Sequence, residues 1–380
     1  MKKRFVQILM ATAALLQVGC RKDDKIIAPT ITHTIAQPVI TISGLYLLNE
    51  GNMNTNMASL DYYDYTSGNY NQNIYGAANP GATKGLGDVG NDIGIYGSKM
   101  YIVVNASNKL EIVDALTVKR IKTIDIKNCR NVTFANGHAY VSAYDGDIVI
   151  GPGSPNGFIA EIDTAALTIT RTVQVGRQPE QMAIVGSKLY IANSGGYSPP
   201  DYERTISVID LTSFKRIKDI DVAINLDKLV ADTYGHLYVT SRGDYYTIPS
   251  RLFVIDTKTE SVVKTFEMAA ANIAICGDTA YVIGSEFNYN SGKTTISYSF
   301  INTKTQTVLP GNFIKDGTEK DIKTPYGIAV DPDSRNIYLT DARDYVSSGT
   351  LYMFNARGEK IFSQTTGNIP AHFAFLPAAH

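Results

Sequence analysis

Residues 181–193 read QMAIVGSKLYIAN, and residues 206–210 read ISVID. The first stretch contains two short apolar runs, separated by the turn sequence Gly186-Ser187-Lys188, and its second run contains Tyr190. Short runs rich in Ile, Val and Tyr between Gly, Asn and Ser residues are typical of β-strands joined by tight turns. ISVID predicts a third strand, and residues 216–222 predict a fourth. Together they predict one small antiparallel sheet of four strands.

The same unit occurs seven times along the chain. Each predicted second strand contains a tyrosine, at Tyr46, Tyr101, Tyr140, Tyr190, Tyr238, Tyr281 and Tyr338. Each predicted third strand ends in Asp or Asn, at Asp64, Asp114, Asp163, Asp210, Asp256, Asn302 and Asn355. The strand-end residues are 46 to 53 positions apart, which is about the length of one four-stranded propeller blade. Because one small sheet cannot bury both of its faces alone, the repeat predicts an all-β protein, a seven-bladed β-propeller.

The two ends of the chain carry a signal for closing the ring. Six inner strands are predicted ahead of tyrosine strands, at residues 92–96, 131–135, 181–185, 228–232, 272–276 and 327–331. The Tyr46 strand has no inner strand before it, whereas residues 369–375, IPAHFAF, resemble QPEQMAI at residues 178–184. We therefore expect the C-terminal strand to complete the first blade, which removes a free sheet edge.

The N-terminal segment has the pattern of a secretory signal peptide. Basic residues at positions 2–4 precede a mostly apolar run that ends at Gly19-Cys20. A small residue directly before a cysteine resembles the lipobox of bacterial lipoproteins, which implies that Cys20 becomes acylated. Residues 21–25, RKDDK, resemble the signal that sends Bacteroidetes lipoproteins to the outer face of the outer membrane. The alternative is an ordinary charged linker.

The predicted organisation is a lipoprotein signal peptide at 1–19, a lipidated cysteine with a flexible tether at 20–43, and a propeller at 44–380. The predicted location is the outer membrane, facing the cell exterior, with the lipid anchor as the contact with the membrane. Without residues 1–19 the chain has 32 basic and 36 acidic residues, a net charge of −4 with neutral histidines. Nucleic acid binding requires a basic face, so no nucleic acid partner is expected.

Two kinds of residue limit the possible propeller classes and cross-links. Trp is absent, although propellers of the WD type and quinoprotein dehydrogenases use it in their blades. The chain is therefore neither of these in its usual form. Cys129 and Cys276 lie at or beside inner strands of blades that are not neighbours. We expect both to be small buried side chains and not a disulfide.

Ligand-binding residues are expected on one face of the ring. In a propeller, the loops that lead into the inner strands and the loops between second and third strands open on the same face, which we call the loop face. The expected ligand-binding residues in these loops are Arg130, Tyr144, Arg177, Tyr197, Tyr202, Arg242, Tyr245, Tyr289, Arg343 and Tyr345. Aromatic faces with polar groups between them suit a bulky, partly flat ligand edged with amides or hydroxyls. The alternative is that these loops pack on each other.

The sequence gives little support for catalysis or a bound cofactor. It contains no Ser/His/Asp arrangement, no His-Glu-x-x-His run and no phosphate-binding glycine motif. His372 is the histidine expected nearest the loop face, and we interpret it as a packed residue. The acidic residues at 331–333 are interpreted as a plain turn. Those at 341–344 include Arg343, a cation that would compete with a metal ion for the carboxylates. We therefore expect no catalytic residues, metal or cofactor.

Several segments resemble known propellers. LYIAN at 189–193 followed by ISVID at 206–210 resembles the YncE/YVTN type of bacterial propeller. YGIAVDP at 326–332 and ASLDYYD at 58–64 are similar to the last and first blades of a Bacteroidetes surface lipoprotein family that includes the BtuG proteins. Those proteins capture vitamin B12 and pass it to the TonB-dependent transporter BtuB.

The resemblance implies a non-catalytic surface lipoprotein that binds a corrinoid over its loop face and has a BtuB-like TonB-dependent outer-membrane transporter as a partner. Two alternatives remain open at this point. One is a surface propeller that binds glycan or protein for adhesion or for another uptake system. The other is an enzyme of the lactonase or lyase type, for which propellers provide precedents.

Overall fold

Residues 41–378 are described by the computed structural model, and they form seven antiparallel sheets of four strands each. The strands of the first half are β1 (Ile42–Asn49), β2 (Ser59–Asp64), β3 (Tyr70–Asn71), β4 (Gly90–Tyr96), β5 (Lys99–Val104), β6 (Lys109–Asp114), β7 (Arg120–Asp125), β8 (Cys129–Ala135), β9 (His138–Ala143), β10 (Asn156–Asp163), β11 (Thr168–Arg177), β12 (Pro179–Val185), β13 (Lys188–Asn193), β14 (Thr205–Asp210) and β15 (Lys215–Asp221).

The strands of the second half are β16 (Leu226–Ala231), β17 (His236–Ser241), β18 (Arg251–Asp256), β19 (Ser261–Phe266), β20 (Asn272–Cys276), β21 (Thr279–Asn288), β22 (Lys293–Asn302), β23 (Thr307–Val308), β24 (Pro325–Val330), β25 (Ile337–Asp341), β26 (Ser348–Phe354), β27 (Lys360–Asn368) and β28 (Pro370–Pro377). Blade 1 has the strand order β28-β1-β2-β3, and blades 2 to 7 each consist of four consecutive strands. Every described strand therefore has a place in one of seven blades, as the repeat predicts.

The inner strands β4, β8, β12, β16, β20, β24 and β28 form a closed ring. Each contacts the inner strand of the next blade, and β28 contacts both β24 and β4. β28 also pairs antiparallel with β1, with Leu47 opposite Phe373 and Ile42 opposite Pro377. The prediction that the C-terminal strand completes the first blade is confirmed.

The repeated tyrosines join neighbouring blades. Six of the seven are at most 2% exposed, and Tyr281 is half-buried. The Tyr46 hydroxyl donates a hydrogen bond to the Ala115 carbonyl (2.6 Å), and Tyr338 donates to the Tyr65 hydroxyl (2.7 Å). In both cases the acceptor belongs to the residue after the strand-end Asp of the next blade. Each of these two tyrosines thus buries its ring in the core while its hydroxyl remains hydrogen-bonded.

The repeated strand-end Asp and Asn residues stabilise the turns that follow them. Asp114 Oδ1 accepts hydrogen bonds from the N–H groups of Leu116 (3.1 Å) and Thr117 (2.8 Å). The other six make the same kind of bond to a residue two or three positions later. A short carboxylate or amide side chain is suited to this role because it reaches the backbone just ahead of it. This turn chemistry explains why the repeat contains Asp or Asn here.

Some details differ from the expected pattern. A five-residue helix, α1 (Ile74–Ala78), and a 3₁₀ turn, Thr318–Lys320, interrupt the connections between blades. The outer strands of blades 1 and 6 contain two residues each. Cys129 and Cys276 are free, buried thiols, as expected.

The predicted signal peptide, Cys20 and nearly all of the predicted tether lie outside the described residues. Within residues 41–378, no helix is long and apolar enough to cross a membrane.

Candidate ligand-binding site

A cavity of about 430 Å³ opens on one face of the ring. Its wall includes residues at the starts of inner strands, such as Arg130 and Tyr326, and residues of loops between second and third strands, such as Tyr197 and Tyr345. The two kinds of loop therefore meet at one opening, as the propeller architecture predicts. Its volume lies in the range of about 300–1,000 Å³ that is usual for small-molecule sites.

β-bulges direct polar side chains toward this opening. In six of the seven inner strands, the pairing with the second strand shifts close to the loop face. The residues inside these shifts include Asn91, Arg130, Glu180, Asp227 and Tyr326. A bulge inserts an extra residue and changes the direction of the local side chains. All five except Glu180 line the cavity, and Glu180 lies directly behind Arg130.

Arg130 and Glu180 form a buried ion pair in the wall. The Nε and Nη2 atoms of Arg130 lie 3.0 and 2.9 Å from Glu180 Oε2, and its Nη1 donates to Asn91 Oδ1 (2.6 Å). The guanidinium also lies 5.3 Å from the ring centre of Tyr144, whose hydroxyl donates to Glu180 Oε1 (2.8 Å). Burial lowers the pKa of Arg130, but the charge and hydrogen bonds of Glu180, together with the nearby tyrosines Tyr144 and Tyr197, outweigh burial and raise that pKa well above its ordinary value.

Arg242 connects this pair to Asp227. Its Nη2 lies 2.8 Å from Asp227 Oδ1, and its Nη1 lies 3.6 Å from Glu180 Oε1. Lys228 Nζ is 3.7 Å from the same Asp227 oxygen. Burial tends to raise the pKa of Asp227, but the charges of Arg242 and Lys228 outweigh it and lower the pKa. Arg130, Arg242 and Asp227 therefore remain charged at neutral pH.

A second polar cluster lies across the opening, at blades 1 and 7. The Tyr326 hydroxyl lies 3.1 Å from both carboxylate oxygens of Glu50, and His372 Nε2 lies 3.0 Å from Glu50 Oε1. Burial raises the pKa of Tyr326 well above its ordinary value, and the Glu50 charge raises it further. The Tyr326 ring packs edge-on against Tyr345, with 5.9 Å between ring centres. His372 thus reaches the loop face, as expected, and there it contacts Glu50.

Aromatic side chains line the cavity near its mouth. Tyr197, Tyr245, Phe287 and Tyr345 belong to loops between second and third strands or to the strand ends beside them. Tyr245 and Tyr345 have left-handed backbone angles, with φ of 66° and 62°. Each follows an Asp whose carboxylate accepts N–H groups from the residues ahead of it. Burial raises the pKa of Tyr245 and that of Tyr345, so both hydroxyls are protonated at neutral pH.

The structure brings five of the ten expected ligand-binding residues to the cavity. These are Arg130, Tyr197, Arg242, Tyr245 and Tyr345. Tyr144 is buried behind Arg130.

The other four expected residues have different surroundings. Arg177 pairs with Asp201 (3.0 Å) and Glu203 (3.4 Å), and Arg343 donates to Thr350 Oγ1 (2.9 Å). Tyr289 is 61% exposed and stacks on Tyr246, with 5.2 Å between ring centres. Tyr202 is half-buried and does not line the cavity.

Sequence reasoning missed Glu50, Asn91, Glu180, Asp227 and Tyr326. All of them except Glu50 are the second residue of an inner strand. The bulges change the direction of the side chain at this position. That fixed position was the signal that could have identified them. Among the described residues, no group of three or more His, Cys, Asp or Glu side chains is placed to hold a metal ion.

Solved structures with the same architecture come from several bacteria. A quinoprotein alcohol dehydrogenase-like protein from Bacteroides thetaiotaomicron VPI-5482 is 16% identical, with a TM-score of 0.60, over 88% of this chain and 78% of that chain. Kuenenia stuttgartiensis hydrazine synthase is also 16% identical, with a TM-score of 0.59, over 74% of this chain and 88% of that chain. Apo AztD from Citrobacter koseri is 12% identical, with a TM-score of 0.54, over 89% of this chain and 99% of that chain.

These likenesses show a shared propeller fold. A sequence search of the curated proteins found no match. A family profile described as a domain of unknown function, DUF5074, matches residues 43–379, which span the whole propeller. The chain therefore belongs to the DUF5074 family.

Proposed function

We propose that this protein is a surface lipoprotein that captures a bulky small molecule at its loop-face cavity without catalysing a reaction. The specific candidate is a corrinoid of the vitamin B12 type, which a TonB-dependent outer-membrane transporter of the BtuB type would then receive. The observation that carries the proposal is the convergence of tyrosine rings and hydrogen-bonding side chains at one opening.

The chemistry of the cavity supports this ligand class. A corrinoid has a broad, flat ring system edged with carboxamide groups. Tyr197, Tyr245 and Tyr345 offer aromatic surface to such a ring, and Arg130 and Asn91 offer hydrogen-bonding groups to its amides. A corrinoid is larger than the cavity, so its ring would lie across the mouth while one side group enters.

Binding is favoured over catalysis because the ionisable groups of the wall are engaged with each other. Arg130 and Arg242 pair with carboxylates, and Glu50 contacts His372 and Tyr326. A catalytic base would need to reach a substrate proton directly. The proposed location at the cell surface is supported by the signal peptide pattern and by the lipobox-like Gly19-Cys20.

A second candidate function is glycan or protein binding for adhesion or for another uptake system. An exposed aromatic group beside the cavity favours it. Tyr246 and Tyr289 stack on each other and are 52% and 61% exposed, and Phe287 packs edge-on against Tyr289. Exposed aromatic clusters of this kind often mark interaction sites.

The test is calorimetric titration of cyanocobalamin into the chain that lacks residues 1–20, with a glycan mixture as the comparison. We expect one-to-one binding of cyanocobalamin. Replacing Tyr197, Tyr245 or Tyr345 with Ala should weaken it by roughly tenfold or more, because buried aromatic contacts dominate binding energy. The matched control is Tyr202→Ala, which changes a loop-face tyrosine outside the cavity and should bind like the parent.

Absence of heat, together with absence of thermal stabilisation at saturating cyanocobalamin, would rule out the corrinoid. Heat with the glycan mixture alone would favour the second candidate. If Tyr202→Ala lost as much cyanocobalamin affinity as the cavity variants, the cavity would not be the binding site.

A further inference from the structure

The charges of the cavity wall are balanced within the protein. The wall contains three cationic side chains, those of Arg130, Lys228 and Arg242, and three carboxylates, those of Glu50, Asp227 and Glu286. Glu180 lies directly behind them, with a side chain that is 4% exposed. Two arginines in one cavity would ordinarily indicate a site for phosphate or carboxylate groups. Here each arginine already has a carboxylate partner.

Glu180 is the residue shared by both arginines. Its Oε2 accepts two hydrogen bonds from Arg130, and its Oε1 lies 3.6 Å from Arg242. The hydroxyls of Tyr144 and Ser194 also donate to Oε1, at 2.8 and 3.2 Å. The carboxylate therefore has donors on both oxygens, and its charge is compensated in a buried position.

We infer that the cavity takes an uncharged ligand and that Glu180 is the residue that excludes anions. This inference rests on the proposed function, because it takes the cavity as the ligand site. An anionic ligand would have to attract Arg130 or Arg242 away from Glu180 or Asp227. That would leave a buried carboxylate without its partner, which is strongly unfavourable.

An uncharged ligand meets no such penalty. Its amide or hydroxyl groups can bond to edges of the guanidinium groups and to Asn91 while the ion pairs stay intact. The ion pairs act as fixed dipoles that need no rearrangement on binding. The inference therefore narrows the ligand class to molecules whose contact surface carries amides and hydroxyls instead of phosphates or carboxylates.

The experiment measures thermal unfolding of the chain that lacks residues 1–20 in increasing inorganic phosphate, against sodium chloride of equal ionic strength. The parent protein should show no saturable rise in Tm that is specific to phosphate. Glu180→Gln keeps the size and one acceptor oxygen of the side chain but releases the two arginines. It should gain a saturable rise, with phosphate binding at least roughly tenfold tighter than in the parent.

The matched control is Glu203→Gln, which removes the carboxylate paired with Arg177 outside the cavity and should gain no phosphate response. If Glu180→Gln does not fold, Asp227→Asn provides the second variant, because it releases Arg242 from its 2.8 Å contact. The Asp227→Asn protein should show the same saturable, phosphate-specific rise in Tm. Saturable phosphate binding by the parent, or no gain in a folded Glu180→Gln protein, would overturn the inference.

This result is separable from the test of the proposed function. If cyanocobalamin does not bind but Glu180→Gln gains phosphate binding, the corrinoid proposal fails and the exclusion of anions stands. If cyanocobalamin binds and the parent also binds phosphate in competition with it, the corrinoid proposal stands and the exclusion of anions fails.

Discussion

Tyrosine has two different roles in this protein, and the surroundings of each ring decide which one it has. Second-strand tyrosines such as Tyr46 and Tyr338 are buried, and their hydroxyls bond to the next blade. Tyr345 lies at the cavity mouth and is 45% exposed. The first group stabilises the contact between blades, whereas the second presents aromatic surface at the proposed ligand site. Substitutions in the two groups should therefore affect different measurements.

Tyr338 and Tyr101 allow a direct test of the structural role. The Tyr338 hydroxyl bonds to Tyr65, whereas the buried Tyr101 hydroxyl has no hydrogen-bond partner among the described residues. Tyr338→Phe should lower the free energy of unfolding by about 1 kcal/mol, because it removes a buried hydrogen bond. Tyr101→Phe should be neutral or stabilising, because it removes an unpaired polar group. Urea denaturation of both variants measures these changes. An equal loss of unfolding free energy in the two variants would contradict the prediction.

At the scale of elements, one carboxylate accepts three backbone N–H groups of the loop between β17 and β18. Asp244 Oδ1 accepts hydrogen bonds from the N–H groups of Tyr246, Thr247 and Ile248, at 2.7 to 2.8 Å. Burial tends to raise the pKa of Asp244, but these hydrogen bonds outweigh it and lower the pKa to about 2. The loop carries Tyr245 into the cavity wall, so its order bears on the site.

This carboxylate should make the order of the loop depend on pH. The pKa of Asp244 in the folded protein is about 2, below the ordinary value of about 3.9 for an unfolded chain. The stabilisation is therefore complete above about pH 4 to 5 and is lost as the pH falls toward 2. Amide hydrogen exchange at Tyr246, Thr247 and Ile248 should accelerate over that range, beyond the intrinsic pH effect on exchange.

Asp244→Ala should produce the same local acceleration at neutral pH, by about tenfold or more, with the rest of the propeller unchanged. Asp244→Asn is the control, because its amide oxygen can still accept these N–H groups. Slow exchange in Asp244→Ala would show that the turn is held by other contacts.

At the scale of the whole molecule, stability depends on closing the ring. β28 pairs with β1 and contacts the inner strands of both neighbouring blades. Its removal would expose the inner edge of blade 1 and leave β4 and β24 without a neighbour between them. A propeller buries its sheet faces against neighbouring blades, so an open ring loses core contacts on both sides of the gap.

A chain that ends at Asn368 should therefore lose cooperative unfolding and aggregate. Circular dichroism during thermal unfolding and size-exclusion chromatography measure this. The control is a circular permutant that starts at Ile369 and joins the end of β28 to β1 through a short turn. Ile42 lies opposite Pro377, and the Ala378 N–H donates to the Thr41 carbonyl at 2.6 Å, so the junction is short. The permutant should unfold cooperatively. If the chain that ends at Asn368 also unfolded cooperatively, β28 would not be needed to close the ring.

The site was only partly predictable from the sequence. The loop class predicted that Tyr197, Tyr245 and Tyr345 lie on one face of the ring, and all three line the cavity, because propeller geometry puts those loops on the same face. Arg177 belongs to the same face, but Asp201 and Glu203 hold it away from the cavity wall. Which arginine meets a carboxylate depends on side chains that come together after the loops fold.

The sequence by itself determined the blade, the number of blades and the way in which the ring closes. Each of these depends on short-range chemistry, such as the strand-end Asp114 bonding to the turn just ahead of it, or on a repeat of that chemistry. The tertiary structure alone decided which polar groups pair in and behind the cavity wall. Glu50 meets His372 across 322 positions, and Arg130 meets Glu180 across 50, because ring closure and bulged inner strands bring them together. Sequence periodicity fixes which face of a strand is buried, whereas contacts between blades fix which polar groups pair.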